Sequence, residues 1–141
     1  MKLVVPDASV LLKWVLPEER EPDVAQAIAL RDAFLASRIR LQVPPLWFYE
    51  AGNVLAAHYP DSAAERLAAL TSFRIPEARP NAAWREQIIK IATTHNVTFY
   101  DASYHALAVM LGGVFVTADE KYQRKVAPTR HILSLASWSL R

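Results

Sequence analysis

Short apolar, β-branched runs that stop at an acidic residue, separated by stretches with helical spacing, constrain this chain more than any other feature. Leu3-Val4-Val5-Pro6 runs straight into Asp7, and Val114-Phe115-Val116-Thr117 runs into Ala118-Asp119. Between them, Ala8 to Val15 reads as a short helix stopped by Pro17, and a second helix spans about Asp23 to Ser37. Leu41 to Val43 reads as a strand ending at Pro44-Pro45. From Leu46, the apolar positions Trp47, Ala51, Val54 and Leu55 recur at helical spacing as far as His58. Pro60 ends that helix, and Asp61 with Ser62 is expected to cap the next, Ala63 to Phe73. Arg74 to Ala78 reads as a weak strand broken by Pro76. A helix with the stripe Trp84, Ile88, Ile91, Ala92 and His95 then follows Pro80. Val97 to Phe99 reads as a strand, with Asp101 opening a helix that ends at Gly112-Gly113. A short helix through Lys121 to Val126 and a last strand, Ile132 to Leu135, complete the pattern. Strands alternating with helices in this way predict an α/β fold with a mainly parallel central sheet.

At 141 residues the chain is expected to form a single domain over 1–141 with its own core. Hydrophobic residues make up 52% and charged residues 21%, a globular balance. Cysteine is absent, which excludes disulfides, thiolate metal sites and a cysteine nucleophile and suits a reducing compartment. An acid as early as Asp7 leaves no room for a signal-peptide apolar region, and no apolar run is long enough to span a bilayer. The expectation is a cytoplasmic protein with no membrane contact. Its formal net charge is +2, unevenly placed. Lys121, Arg124, Lys125, Arg130 and Arg141 lie in the last 21 residues without any acid, whereas the first 120 residues hold 11 basic and 14 acidic groups. Such an edge suits a phosphate backbone, and equally an ordinary solvated face.

The placement of the acids carries the chemistry. Asp7 and Asp119 each follow an apolar strand, and Asp101 opens the helix after the expected Val97–Phe99 strand. In open α/β sheets, ligands bind beyond the carboxyl ends of the strands, so three distant acids are delivered to one rim. Glu50 borders the apolar stripe of its helix, closer to the core than a surface glutamate needs to be. Taken singly, the three aspartates are also consistent with helix capping, and Glu50 with plain exposure. Together they would repel one another by ~4 kcal/mol per pair at ~4 Å and an effective dielectric near 20, and a divalent cation would relieve this. All-oxygen ligands suit Mg²⁺ or Mn²⁺ rather than zinc, and phosphodiester hydrolysis is the reaction class that uses such a rim.

Four motifs occur in order: Asp7-Ala8-Ser9-Val10, Glu50 with Asn53-Val54-Leu55, Asp101-Ala102-Ser103-Tyr104, and Thr117-Ala118-Asp119-Glu120-Lys121. Together, from Leu3 to about Leu135, they resemble a PIN-domain nuclease, most closely the VapC toxins of bacterial and archaeal toxin–antitoxin pairs. The resemblance implies a three-layer α/β/α sandwich and Mg²⁺- or Mn²⁺-dependent endoribonuclease activity on RNA. It makes Asp7, Glu50, Asp101 and Asp119 the metal-binding and catalytic acids. Ser9 and Thr117 match small hydroxyl residues beside them, and Asn53 is expected to orient Glu50 or its neighbours. A homodimer and a small antitoxin are implied as partners. Pro6, directly before Asp7, departs from the apolar β-former usual there, and the proline-interrupted Arg74 to Arg79 stretch matches nothing functional.

Lys13, Lys121, Arg124 and Lys125 are the candidates for RNA contact, being near strand-end acids in sequence. His58 and His95 read as packing or helix-end residues, and His105, one turn beyond Asp101, as a packing residue or an RNA contact. Trp14, Trp47, Tyr49 and Trp84 read as core or dimer contacts. No glycine-rich phosphate loop or Gly-x-Ser-x-Gly motif occurs. Three other readings remain: an RNA-processing nuclease outside any toxin–antitoxin pair, a Mg²⁺-dependent phosphatase with an aspartyl nucleophile, and a non-catalytic protein-binding module. The phosphatase wants a second aspartate two residues after the first, where this chain has Ser9.

Overall fold

A computed structural model describes residues 1–140. Arg141, counted above with the basic C-terminal edge, lies outside the described residues. Four strands, β1 (Leu3–Pro6), β2 (Arg40–Leu41), β3 (Val114–Thr117) and β4 (Ile132–Ser134), form one sheet in the order β2-β1-β3-β4. Every pairing is parallel. The helices are α1 (Ala8–Leu12), α2 (Val24–Leu35), α3 (Leu46–His58), α4 (Ala63–Ser72), α5 (Ala82–His95), α6 (Phe99–Leu111) and α7 (Glu120–Val126). All four residues of β1 are buried although their side chains alternate between the two faces, so helices cover both sides of the sheet. The result is an α/β/α sandwich with a parallel centre.

The chain leaves β1 toward β2 on one side and later returns to β3 on the other. The gap between the carboxyl ends of β1 and β3 is therefore the switch point where α/β sheets open a crevice. Two glycines deliver β3 to its place. Gly112 ends α6 at φ 67°, a left-handed turn that costs a side-chain-bearing residue strain. At Gly113 a Cβ would lie 2.5 Å from the Leu3 carbonyl oxygen, so only glycine lets β3 enter beside β1. Pro6 lacks a ladder donor, yet it pairs only with Val116 of β3; the β1–β2 register stops at Val4 and Leu41, so no bond is lost.

Two expected strands are corrected. Val97 to Phe99 is not a strand: Asn96 closes α5 in the left-handed region, Thr98 caps α6, and Phe99 is already its first residue. β-branched composition is outweighed there by two helix caps, Asn96 and Thr98, only two positions apart. Arg74 to Ala78 makes a single parallel bridge, Glu77 to Val43, because Pro76 cannot donate and the ladder goes no further. Smaller shifts follow from local hydrogen bonding. α1 stops at Leu12 rather than Val15, and Asp23 sits at φ 58° without capping α2. Ser62 precedes α4, but its hydroxyl accepts from Arg66 Nε at 2.8 Å instead of capping.

Candidate active site

Asp7 follows β1 directly, so its carboxylate stands at the switch point. Its Oδ1 accepts from Ser9 Oγ at 2.5 Å and from the Val10 backbone N–H at 3.2 Å, while its Oδ2 accepts from Thr117 Oγ1 at 2.5 Å. Asp7 thus caps α1 and at the same time lines the cleft. Burial nevertheless pushes its pKa up to about 6; the hydroxyl and backbone donors oppose that rise, and the nearby Asp119 charge adds to it. Thr117 is fully buried and works in two directions, donating to Asp7 and accepting from the Asp119 backbone N–H at 3.0 Å. Ser9 likewise accepts from the Ala118 N–H at 3.3 Å. These two hydroxyls tie the ends of β1 and β3 to one another. Asp119 caps α7 through Oδ1, which accepts from Tyr122 N–H at 3.0 Å.

Glu50 and Asp101 reach the same space from helices. Asp101 sits in the first turn of α6, but Thr98 is the residue that caps that helix, accepting from the Asp101 N–H at 3.0 Å. The Asp101 side chain is therefore released from the capping role expected of it. Its pKa is raised by burial first and by Asp119 second, partly offset by Thr98 and the charge of Lys125. Glu50 is half-buried on α3, and its Oε1 accepts from Tyr104 Oη at 2.5 Å. Burial raises its pKa, and Asp7 and Asp101 push in the same direction against the Tyr104 bond. All four acids, with Ser9, Thr117, Tyr104 and Tyr122, line one cavity of about 220 Å³.

Tyr104 and Tyr122 escaped the sequence reading as site residues. The available signal was position: Tyr104 lies three residues after Asp101, on the same face of one helix. Phe115 of β3 holds both rings. Tyr104 stacks on it with centroids 5.9 Å apart, and Tyr122 meets it edge-on at 5.7 Å. Asn53 is exposed and does not line the cavity, so Tyr104 performs the orienting contact expected of Asn53.

The basic candidates divide. Lys121 and Lys125 line a groove of about 460 Å³ that adjoins the cavity and shares Asp101, Asp119 and Tyr122 with it. Arg124 is exposed beside Glu120 at 4.0 Å. Lys13 is only 5% exposed, and its ammonium is bound to Glu21 at 3.2 Å, which leaves no free cation for a phosphate. His105 is buried; its ring contacts Tyr122 Oη and the Arg130 carbonyl, both at 2.9 Å, so it packs rather than facing the cleft. Trp14, Trp47 and Trp84 are core residues, whereas Tyr49 is 69% exposed.

Among the described residues, no three His, Asp or Glu side chains are gathered tightly enough to cage a cation with protein ligands alone. The shared lining still fits one. Mg²⁺ and Mn²⁺ favour a few carboxylates with retained waters over a closed protein cage. The donor set is all oxygen, and three of its four acids are pushed toward protonation by burial and by one another. A divalent cation answers that arrangement, and among the described residues no basic side chain lines the cavity to do so instead.

A parallel sheet with carboxylates at its switch point suits metal-assisted phosphate chemistry, and the comparisons narrow it to one family. The PIN-domain family model matches residues 4–127, and the chain belongs to the PIN-domain family. Within that family its relatives are VapC proteins. It is 32% identical over 139 residues to ribonuclease VapC3 of Pyrobaculum aerophilum, covering 91% of this chain and all of that one. It is 31% identical to exonuclease VapC9 of the same organism, over 78% of this chain and 87% of the other. The solved structure of VapBC-1 from nontypeable Haemophilus influenzae superposes with a TM-score of 0.66 at 16% identity, over 96% of this chain and 99% of that one, and so shares the fold. This kinship makes the protein an enzyme of the nuclease class. Among the described residues no helix is long and apolar enough to cross a membrane.

Proposed function

We propose that the protein is a Mg²⁺- or Mn²⁺-dependent endoribonuclease, the toxin of a toxin–antitoxin pair, acting as a homodimer held in check by a small antitoxin. The observation that carries this reading is the shared lining: Asp7, Glu50, Asp101 and Asp119, drawn from four separate stretches of chain, meet in one cleft at the switch point. The names of the VapC relatives and of the VapBC assembly support RNA as substrate and an antitoxin as partner.

The four acids would hold the cation, which when bound neutralises charge on a phosphoryl oxygen and lowers the pKa of water. The chain's own residues prepare that site. Ser9 and Thr117 fix both oxygens of Asp7, so the carboxylate cannot rotate away. Tyr104 fixes Oε1 of Glu50. Lys121 and Lys125 supply the positive wall along which the RNA backbone leaves the acids. An aspartyl-phosphate route is disfavoured, because Ser9 stands where that chemistry wants a second aspartate.

The test is cleavage of single-stranded RNA by purified protein with Mg²⁺, with Mn²⁺ and with EDTA, alongside Asp7→Asn. Cleavage that needs the cation and is lost in the variant is expected. Full activity in EDTA, from preparations free of contaminating nuclease, would overturn the mechanism. Expression without a partner should slow growth, and Asp119→Ala should relieve it; equal inhibition by both proteins would argue against toxicity through this site.

A further inference from the structure

A second basin of about 240 Å³ lies between the last turns of α5, the middle of α6 and the loop before β4, and it shares no lining residue with the acidic cavity or its adjoining groove. Its walls carry Lys90, Thr94 and His95 from α5, His105 from α6, and Arg130 and His131 from the loop. Among the described residues no Asp or Glu lines it. A chain with nearly as many acids as bases has therefore collected cationic and N–H-bearing side chains in one concavity and left every carboxylate out.

The basin is also built rigidly. His131 adopts φ 65°, a region that a residue with a Cβ occupies only when its surroundings hold it there. Its backbone carbonyl accepts from Phe115 N–H at 2.8 Å, and its Nδ1 donates to the Gly113 carbonyl at 2.8 Å. With Nδ1 committed as a donor, Nε2 can donate to an anion only from the protonated ring. His105 is held just as firmly. Its Nε2 must donate to the Arg130 carbonyl, so its Nδ1 accepts from Tyr122 Oη, and both nitrogens are used. His105 thus anchors the backbone of Arg130 and leaves binding to the charged Lys90 and Arg130, joined by His95 and His131 in their protonated forms.

A lysine and an arginine lining one concavity with two further imidazoles and no carboxylate match a compact, multiply charged oxyanion. We propose that this basin is a second, non-catalytic site for a phosphate group, carried either by an RNA strand or by a free phosphate. The proposal does not depend on the nuclease reading.

The experiment is a titration of the intact protein with inorganic phosphate in EDTA, followed by the imidazole NMR signals, with chloride at matched ionic strength as control. His95 and His131 should shift with phosphate and not with chloride, while the exposed His58 stays put. In Lys90→Gln/Arg130→Gln the phosphate affinity should fall by about tenfold, the scale of losing charge-assisted contacts. RNA binding by the same variant, compared in an Asp7→Asn background, identifies the source. Weaker RNA binding assigns the site to a backbone phosphate, and unchanged RNA binding assigns it to a free one. No shift at His95 and His131 in the wild type, equal shifts with chloride, or undiminished phosphate affinity in the folded double variant would each overturn the proposal.

Discussion

Asp7 is held by three donors and still has a pKa near 6, so in the cation-free protein its charge costs the fold stability. The ordinary value is 3.8. Because the folded value is the higher one, the folded state binds the proton more tightly. The resulting stability is fully present below pH 3.8 and is lost as pH rises through 6, a loss on the order of 3 kcal/mol. In EDTA, wild type should therefore lose melting temperature between pH 4 and pH 7.5, and Asp7→Asn, which cannot ionise, should lose clearly less. Parallel melting profiles would mean that Asp7 is not strained by its charge. Tyr104 yields a second prediction at this scale. Tyr104→Phe keeps the ring on Phe115 but frees Glu50, and a hydrogen bond to a charged group contributes about 1.5–3 kcal/mol. We expect a lower melting temperature from the lost bond and a drop in kcat of tenfold or more; an unchanged rate would make the contact incidental to catalysis. Asp7 and Asp119 were legible as cavity residues because each follows a strand, and Glu50 because it borders a helix stripe. Asp101, by contrast, was assigned to the rim by a Val97–Phe99 strand that the fold does not contain. Tyr104 was not legible, since a buried tyrosine in an apolar helix reads as core until its hydroxyl is seen to end on Glu50.

The start of α6 shows what capping does for the site. Thr98 takes the cap, leaving the Asp101 carboxylate for the cavity. The two roles are separable by mutation. Thr98→Ala should cost about 1 kcal/mol, the usual value of a lost cap, in buffer with or without cation. Asp101→Asn should leave the melting temperature in EDTA unchanged or higher, because repulsion from Asp119 ends. It should also remove most of the stabilisation expected from Mg²⁺ in the wild type, ~2.7 kcal/mol at a hundredfold excess over Kd. Equal Mg²⁺-induced shifts in wild type and Asp101→Asn would take Asp101 out of the site. The same stretch explains a failure of sequence reading. Val97, Thr98 and Phe99 have strand composition, but hydrogen bonds at the neighbouring helix ends outweigh composition, and those bonds are invisible to a propensity argument. Helices with a clear apolar stripe, such as α5, were legible because burial and spacing point the same way.

Across the whole molecule, the strand–helix alternation was enough to foresee a parallel sheet but not the order β2-β1-β3-β4, which depends on contacts far apart in sequence. That order has an electrostatic consequence. It sets the acids at the ends of β1 and β3 and brings α7 alongside them, so Lys121 and Lys125 wall a groove opening from the acidic cavity. Charge counting along the chain saw the basic segment without its geometry. It grouped Arg124 with its neighbours, although Arg124 is not in the groove and stands against Glu120. If RNA follows the groove, the two lysines release counterions on binding and Arg124 contributes less. Each phosphate contact on a single strand steepens the log–log dependence of affinity on salt by ~0.7, so Lys121→Gln/Lys125→Gln should flatten that slope by ~1.4. Arg124→Gln should flatten it by clearly less than one such step. The measurement belongs in an Asp7→Asn background with EDTA, where RNA binds without being cut and no cation competes for its phosphates. Equal effects from Arg124 and the lysine pair would show diffuse attraction to a basic edge. An unchanged slope in the lysine variant would place the RNA path elsewhere and return Lys121 and Lys125 to solvent, while the cation site proposed at the ends of β1 and β3 rests on separate observations.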